Sequence, residues 1–279
     1  MADNSEPKIM ALFCDFENVA LGVRDANYDQ FDIGKVLERL LLKGNIVLKK
    51  AYCDWARYKD FKSPRHEASF EMIEVPHLRQ SGKNSADVRM VVDALDLCYT
   101  KEHIDTFVVV SGDSDFSPLV SKLRENAKMV IGVGVKNATS DLLVANCDEF
   151  IFYDDLVREV QPKTKRAPRK QASASKPAAA PKAKKAASED HTDDKMQEGI
   201  DLVVDTADAL YSERDDRSTL WGSMVKQTLK RRHPGFNETY YGFRSFSDLL
   251  EEAEDRGELD LELDERSGGY IIRNILDKD

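Results

Sequence analysis

The first 160 residues alternate between two patterns of apolar and polar positions. Short runs of β-branched and aromatic residues predict buried strands at 9–14, 46–53, 70–75, 106–110, 129–135 and 150–153. Segments with helical spacing lie among them, at 32–42, 86–99, 118–126 and 140–146. Alternation with short connections predicts an α/β fold, in which a parallel sheet carries helices on both faces.

The C-terminal residues follow a different order. Helical spacing predicts three helices, at 196–210, at 220–229 with a stop at His233-Pro234, and at 245–257. The third helix should direct Phe246, Leu249 and Leu250 inward. Two strands then flank Ser267-Gly268-Gly269, which is typical of a hairpin turn. Three helices followed by a hairpin predict a small winged helix-turn-helix domain.

A polar stretch rich in Lys, Ala, Pro and Ser separates these two parts. Residues 161–187 contain nine Lys or Arg and no acidic residue, although the whole chain has a net charge of -10. Because the stretch has too few apolar residues to offset its ordering entropy, we interpret 161–194 as a flexible linker. It could be a plain spacer or an arm that follows a phosphate backbone. The predicted domains are therefore 8–160 and 195–279.

The overall composition narrows the class of protein. A sequence pI of about 5.2 argues against a globally basic nucleic-acid binder. The four cysteines form no CxxC pair, so we expect buried, reduced thiols rather than a zinc site. The N-terminus lacks a signal-peptide core, and no run approaches the roughly 20 apolar residues of a membrane helix. We expect a cytoplasmic protein with no membrane partner.

Acidic residues follow two of the predicted strands. Asp113 and Asp115 come after the strand at 106–110, with Gly112 in a tight turn, and Asp15 ends the first strand. The carboxyl ends of parallel strands form the usual ligand crevice of open α/β sheets. Neighbouring carboxylates repel each other, and hard divalent cations such as Mg²⁺ relieve that repulsion through oxygen ligands.

A third acidic position lies at the predicted start of the helix at 86–99. Asp87 falls in its first turn, and Lys83 just before it is well placed for a phosphate. We predict that Val88, Val91, Val92 and Leu95 form the buried stripe of this helix. Asp93 and Asp96, on the same helix, are interpreted as solvated, as are Asp154 and Asp155.

The acidic set suits phosphodiester hydrolysis, which requires an activated water and relief of negative charge on the attacking and leaving oxygens. Asn18 could orient a water, a substrate phosphate or a carboxylate there. A Toprim-type site fits less well, because the first strand ends in Asp rather than Glu. No G-x-G-x-x-G follows that strand, and the serines near Asp113 lack a nucleophile-elbow context.

Three motifs together resemble the NYN domain, a PIN-like family that includes the bacterial LabA-like proteins. They are Asp15-Phe16-Glu17-Asn18, Lys83 with Asp87, and Ser111-Gly112-Asp113-Ser114-Asp115-Phe116. The resemblance implies a PIN-like, Rossmannoid sheet and a Mg²⁺- or Mn²⁺-dependent ribonuclease. It implies a role for Asn18 as a polar site residue and for Lys83 as a phosphate contact. It implies metal ligation by the carboxylates of Asp15, Asp87, Asp113 and Asp115.

The C-terminal part resembles a LOTUS domain, also called OST-HTH, most closely at 241–250. That resemblance implies contact with single-stranded or structured RNA, or with a protein partner. A local basic set could contact RNA: Lys226, Lys230, Arg231, Arg232 and Arg244. It could equally be a solvated helix end favoured by the helix dipole. The sequence thus predicts an RNA-cleaving enzyme, and the alternative is a noncatalytic adaptor that binds RNA or recruits protein.

Overall fold

A computed structural model describes residues 7–28, 31–55, 69–75, 85–158, 186–212, 219–264 and 267–276. The chain divides into two compact units, one built on a six-stranded sheet and one on a three-stranded sheet. The predicted phosphate contact Lys83 lies outside the described residues, as does most of the predicted linker.

The first unit is organised by a parallel sheet whose order is β3-β2-β1-β4-β5-β6. Its strands are β1 (Lys8–Asp15), β2 (Gly44–Cys53), β3 (Glu71–Glu74), β4 (Thr106–Val110), β5 (Met129–Gly134) and β6 (Glu149–Phe152). Every pairing between neighbours is parallel. The order reverses direction between β1 and β4, and ligands bind at such a switch point in open α/β sheets. All six predicted strands are confirmed.

Helices cover both faces of this sheet. They are α1 (Phe16–Asp25), α2 (Ile33–Leu41), α3 (Ser85–Thr100), α4 (Ser117–Glu125), α5 (Asp141–Asn146) and α6 (Tyr153–Arg158). Strand β1 contributes side chains to two cores, one on each face of the sheet. Leu12 and Cys14 pack with α1, α2 and α6. Ala11 and Phe13 pack with α3, α4 and α5. A strand buried on both faces explains the continuous apolar run that predicted it.

The predicted buried stripe of α3 is wrong in part. Val88 and Val92 are 59% and 55% exposed, while the row spaced by four residues that faces the sheet is Met90, Ala94 and Cys98. Val91 and Leu95 are only partly buried at the edge of the core. The helical spacing of hydrophobic residues predicted that the branched side chains are buried, but the helix directs its smaller and unbranched side chains toward the sheet.

In its described residues the second unit has three helices and a small antiparallel sheet. Its elements are α7 (Ala186–Ser212), β7 (Leu220–Trp221), α8 (Gly222–Arg232), α9 (Phe246–Asp255), β8 (Leu259–Asp264) and β9 (Gly269–Ile275). The hairpin and the burial of Phe246, Leu249 and Leu250 are confirmed. Two details differ: residues 220–221 form a strand beside β9, and α7 begins within the stretch assigned to the linker.

All four cysteines are buried and none of them forms a disulfide, which agrees with the predicted buried thiols. Within the described ranges, no helix combines the length and the apolar character that crossing a membrane would require.

Candidate active site

Asp15 stands where β1 ends and α1 begins. It is the N-cap of α1, and its carboxylate accepts a hydrogen bond from the backbone N–H of Asn18 at 3.4 Å. The Ser111 hydroxyl, at the end of β4, donates to Asp15 Oδ2 over 3.0 Å. Asp15 is only 7% exposed. The switch point of the sheet therefore carries an oriented and nearly buried carboxylate.

The loop after β4 brings Asp113 to the same edge. Ser111 Oγ accepts a hydrogen bond from the Asp113 backbone N–H at 3.2 Å, so one hydroxyl connects both acidic positions. Asp113 in turn caps a short 3-10 turn by accepting the N–H of Asp115 at 3.0 Å. Asp113 is half-buried, and Asp115 is exposed. The loop thus presents one partly shielded and one open carboxylate.

Gly112 holds this loop close to its neighbours. Its N–H donates to Asn18 Oδ1 at 2.8 Å, and its carbonyl accepts the N–H of Ser140 at 2.9 Å. A Cβ on residue 112 would lie 1.9 Å from the carbonyl oxygen of Ala138. The glycine is required by this close approach rather than by a left-handed backbone, which corrects the tight-turn interpretation. Asn18 serves here to fix the β4 loop against α1.

Replacing Gly112 with Ala should displace the loop that carries Asp113. We expect the free energy of unfolding to fall by about 1–3 kcal/mol, the usual range for overpacking. Urea unfolding measures the effect. Gly34→Ala is the control, because its new methyl would meet only the Asp32 side chain, at 3.0 Å. Equal behaviour of the two variants would contradict a rigid loop.

The electrostatics of Asp15 are unusual. Its pKa is raised from 3.8 to about 7, first because burial disfavours the charged form and second because of the negative charge of Asp87. The hydrogen bonds from Asn18 and Ser111 lower this pKa, and the charge of Glu17 raises it further. Asp87 lies in the first turn of α3, as predicted. Asp15 and Asp87 therefore repel each other across the switch point.

A charged network ties the middle of α3 to the sheet. Asp93 accepts the Tyr52 hydroxyl at 2.8 Å and pairs with Lys50 at 3.3 Å and Arg89 at 3.2 Å. The side chain of Asp93 is 13% exposed, and the hydrogen bonds of Tyr52 and Lys50 outweigh burial and lower its pKa. The prediction that Asp93 is solvated is wrong. The network fixes the helix that presents Asp87.

Two other acidic side chains interpreted as solvated are also held by the fold. Asp154 accepts the Tyr28 hydroxyl at 3.0 Å and the Lys136 N–H at 2.7 Å, and Asp155 is buried. For both residues the prediction is wrong. Each lies in α6, whose first turn packs on the sheet, a helix that the sequence pattern did not predict.

The residues of the site fit a divalent cation by their chemistry. Asp15 and Asp87 offer hard oxygen donors whose mutual repulsion a cation would relieve. One carboxylate oxygen of Glu17 is buried without a hydrogen-bond partner. In the part of the chain that the structure describes, however, no three acidic, His or Cys side chains are already arranged around one ion position. Asp15 and Asp113 are instead engaged as caps of their own turns.

Sequence reasoning missed two residues of this site. The sequence argues against Ser111 as a nucleophile and predicts no other role for it. Its position directly after β4 nevertheless places its hydroxyl between Asp15 and the Asp113 loop. Glu17 was quoted as part of a motif and given no role. Its place two residues after a strand-end Asp, in the first turn of a helix, was the available signal.

The basic set predicted in the C-terminal part of the chain occupies three local environments. Lys226 pairs with Glu238 at 2.7 Å and lies over the Phe246 ring, so its charge is partly satisfied. Arg244 precedes α9 and has an 84% exposed side chain near Asp248. The remaining members form the C-terminal end of α8: Lys230, Arg231 and Arg232. A helix C-terminus favours cations, so the solvated interpretation also fits.

Comparison with known proteins supports both units. The NYN domain family model matches residues 9–154, and the OST-HTH/LOTUS domain model matches residues 200–260. An uncharacterized protein of Methanocaldococcus jannaschii is 34% identical over 116 residues, which cover 40% of this chain and 43% of the relative. The chain thus spans under half of the relative's length.

Among solved structures, the chain is similar to a protein of unknown function from Vibrio parahaemolyticus. The likeness has a TM-score of 0.48 and 27% identity, and it covers 56% of this chain and 98% of the other. The first match lies within the six-stranded unit, and most of the second lies within the three-stranded unit. The chain therefore belongs to the NYN family and carries a C-terminal OST-HTH/LOTUS domain.

Proposed function

We propose that this chain is a ribonuclease that hydrolyses RNA phosphodiester bonds with Mg²⁺ or Mn²⁺. The observation that carries the proposal is the Ser111 hydroxyl, which donates to Asp15 and accepts the Asp113 N–H at the switch point. The negative charge of Asp87, which raises the pKa of Asp15, adds support. The domain family adds support, because the NYN domain belongs to the PIN-like nuclease superfamily.

Four carboxylates would hold the cation: Asp15, Asp87, Asp113 and Asp115. A bound divalent cation supplies neutralisation of the charge that develops on the phosphate and lowers the pKa of water. The chain itself supplies orientation. Ser111 Oγ and the Asn18 N–H hold the two oxygens of Asp15, and the Asp93 network holds the helix of Asp87. Burial and the charge of Asp87, with a smaller contribution from Glu17, keep Asp15 easily protonated, so binding of a cation would displace a proton from its carboxyl group.

The second unit would recruit the RNA. In the proposed organisation, residues 8–160 cleave, residues 161–194 tether, and residues 195–279 bind single-stranded or structured RNA. OST-HTH/LOTUS domains suggest this role, and nine Lys or Arg in 161–187 would attract a phosphate backbone. A protein partner of this unit is the competing assignment.

Cleavage assays test the proposal directly. Purified full-length protein should cleave end-labelled single-stranded RNA in Mg²⁺ or Mn²⁺, and EDTA should abolish the cleavage. Binding of the same RNA should persist in EDTA through the second unit. Tight binding without cleavage in either metal would contradict the ribonuclease and would support the noncatalytic adaptor.

Neutralising the end of α8 should weaken RNA binding. For Lys230→Ala, Arg231→Ala and Arg232→Ala combined, loss of three phosphate contacts would reduce the slope of log K against log salt by about 2. Affinity measured across a salt series checks this. The charge-preserving set Lys230→Arg, Arg231→Lys and Arg232→Lys is the matched control and should keep the slope. An unchanged slope in the alanine variant would mean that these residues make no phosphate contacts and are a solvated helix end.

A further inference from the structure

An open groove runs between α3, α4 and α5 on one face of the first unit. Its volume is about 740 Å³, within the range of small-molecule sites. Its lining begins at two of the candidate metal ligands, Asp87 and Asp115, so the groove is continuous with the candidate active site. Helices α3 and α4 pack together, as do α4 and α5, so the walls of the groove belong to one layer.

The walls of the groove are aliphatic. Val88, Val92 and Leu142 line it and are 59%, 55% and 59% exposed, and Pro118 adds a fourth apolar surface. Val88 and Val92 are the residues that the sequence pattern had placed in the core. Their exposure next to a catalytic edge is informative, because large apolar side chains that gather in one groove mark a binding surface.

Two of the polar side chains that line the groove are used by the fold, whereas the buried Ser117 hydroxyl has no hydrogen-bond partner within the described part of the chain. Ser121 Oγ donates to the Ser117 carbonyl at 3.1 Å, and Asn146 Nδ2 donates to the Leu142 carbonyl at 2.8 Å. Among the described residues that line the groove there is no Lys or Arg. The groove therefore offers apolar contact rather than a set of donors that could hold phosphates or read the edges of bases.

We propose that this groove receives the nucleobases that flank the scissile phosphate of single-stranded RNA. The proposal rests on the ribonuclease function proposed above. Every base has an apolar face, which is why stacking on aromatic side chains depends little on sequence. The same face can be removed from water by packing on aliphatic side chains. Val92 follows Asp87 by five residues, about 7.5 Å along the helix axis, so a base on Val92 would lie about one nucleotide from a phosphate at Asp87.

The charges favour this occupant over a duplex. Asp87 and Asp115 repel an RNA backbone wherever a cation does not intervene, so base contacts must supply the attraction in the groove. Paired bases in a duplex are stacked and cannot turn their faces to Val88, Val92 and Leu142. The protein should therefore act on unpaired RNA with weak base preference, and pairing across the cleavage point should protect it.

Crosslinking tests the location without requiring cleavage. Full-length Asp113→Asn protein in Mn²⁺ would be irradiated with single-stranded RNAs that each carry one 4-thiouridine. We expect crosslinks to α3 or α5 peptides that contain Val88, Val92 or Leu142. The yield of these crosslinks should be at least about fivefold lower when the same RNA is paired in a duplex. An absence of crosslinks to α3, α4 and α5 would overturn the proposal.

Kinetics test the energetics. The triple variant Val88→Ser, Val92→Ser and Leu142→Ser should raise the RNA concentration for half-maximal cleavage about tenfold, with a maximal rate within about threefold of wild type. The control Leu42→Ser and Val47→Ser removes apolar groups that are 79% and 55% exposed elsewhere in the unit and should change neither value.

An RNA that lacks the base next to the cleavage point should bind wild type with lower affinity than the intact RNA does. With the triple variant, removal of that base should cause no further loss of affinity. Additive losses would overturn the proposal. The failures of the two proposals are distinguishable: a wild type that crosslinks in the groove but never cleaves refutes the ribonuclease alone, whereas normal cleavage without groove crosslinks refutes the groove alone.

Discussion

Replacing Asp15 with Asn should make the metal-free protein more stable above pH 7 while reducing RNA cleavage at least about 100-fold. The expected gain in the free energy of unfolding at pH 8 is about 2–4 kcal/mol. Asn keeps the shape of the side chain, and its Oδ1 can still accept the Asn18 N–H while its Nδ2 can donate to the Ser111 hydroxyl oxygen. It removes a buried charge that only a bound cation would compensate.

The pH dependence follows from the raised pKa of Asp15. In the unfolded chain this carboxyl ionises near 3.8, whereas in the folded protein it ionises at about 7. Between these values the unfolded state has released a proton that the folded state still holds, so stability falls as pH rises. The cost is absent below pH 3.8, grows from about pH 4 to pH 7, and is complete above pH 7.

Urea unfolding of wild type and Asp15→Asn in EDTA, at intervals from pH 4 to pH 8, measures this cost. The quantity of interest is the difference between the two proteins, because other groups contribute to both curves. It should favour the variant increasingly up to pH 7 and then level off. Saturating Mn²⁺ should stabilise wild type more than the variant. A difference that is flat with pH would contradict a buried and destabilising Asp15.

Replacing Asp87 with Asn should also abolish most cleavage, by about 100-fold or more, because one carboxylate of the proposed metal site is lost. It should have a second effect on its neighbour. The charge of Asp87 is the second cause, after burial, of the raised pKa of Asp15. In the variant, Asp15 should therefore ionise at a lower pH, although burial still holds its pKa above 3.8.

NMR titration of the Asp15 side-chain carboxyl in metal-free wild type and Asp87→Asn measures this coupling. Asp96→Asn is the matched control, since Asp96 lies on the same helix and is exposed. It should leave both the titration and the cleavage unchanged. An identical Asp15 titration in the Asp87 and Asp96 variants would mean that Asp87 is too far away to share a cation with Asp15.

The sheet could be predicted from sequence because each strand is marked by a local run of β-branched and aromatic residues. The run at 106–110 is apolar at every position, as a strand buried on both faces must be, and it appears as β4. Helix α1 was missed although Asp15 caps it and Phe16, Val19 and Val23 carry its buried face. It begins directly after β1 without a loop, so no turn residue marks its start.

The orientation of helices was harder to predict than their presence. In α3 the valines are more hydrophobic than Met90, Ala94 and Cys98, yet the second set faces the sheet. Hydrophobicity alone could not decide, because a groove beside the site also uses apolar residues. Val88 and Val92 line the groove beside the candidate site instead of packing in the core.

The predicted parallel sheet allowed the acidic edge to be predicted, but not its internal contacts. Asp15 ends one parallel strand and Asp113 follows another by three residues, so their presence at one edge follows from the fold class. The Ser111 hydroxyl that connects them, and the contact that forbids a side chain on Gly112, depend on distances of a few ångströms between loops. No pattern in one sequence encodes those distances.

Single-turnover cleavage by wild type and Asp113→Asn tests the central claim most directly. Both proteins would be purified identically and assayed with one end-labelled single-stranded RNA in Mn²⁺, with Asp96→Asn as the charge-matched control and thermal unfolding as the check of fold. The account predicts that wild type and Asp96→Asn cleave at the same rate and that Asp113→Asn is at least about 100-fold slower. Equal rates for a folded Asp113→Asn protein and wild type would contradict it.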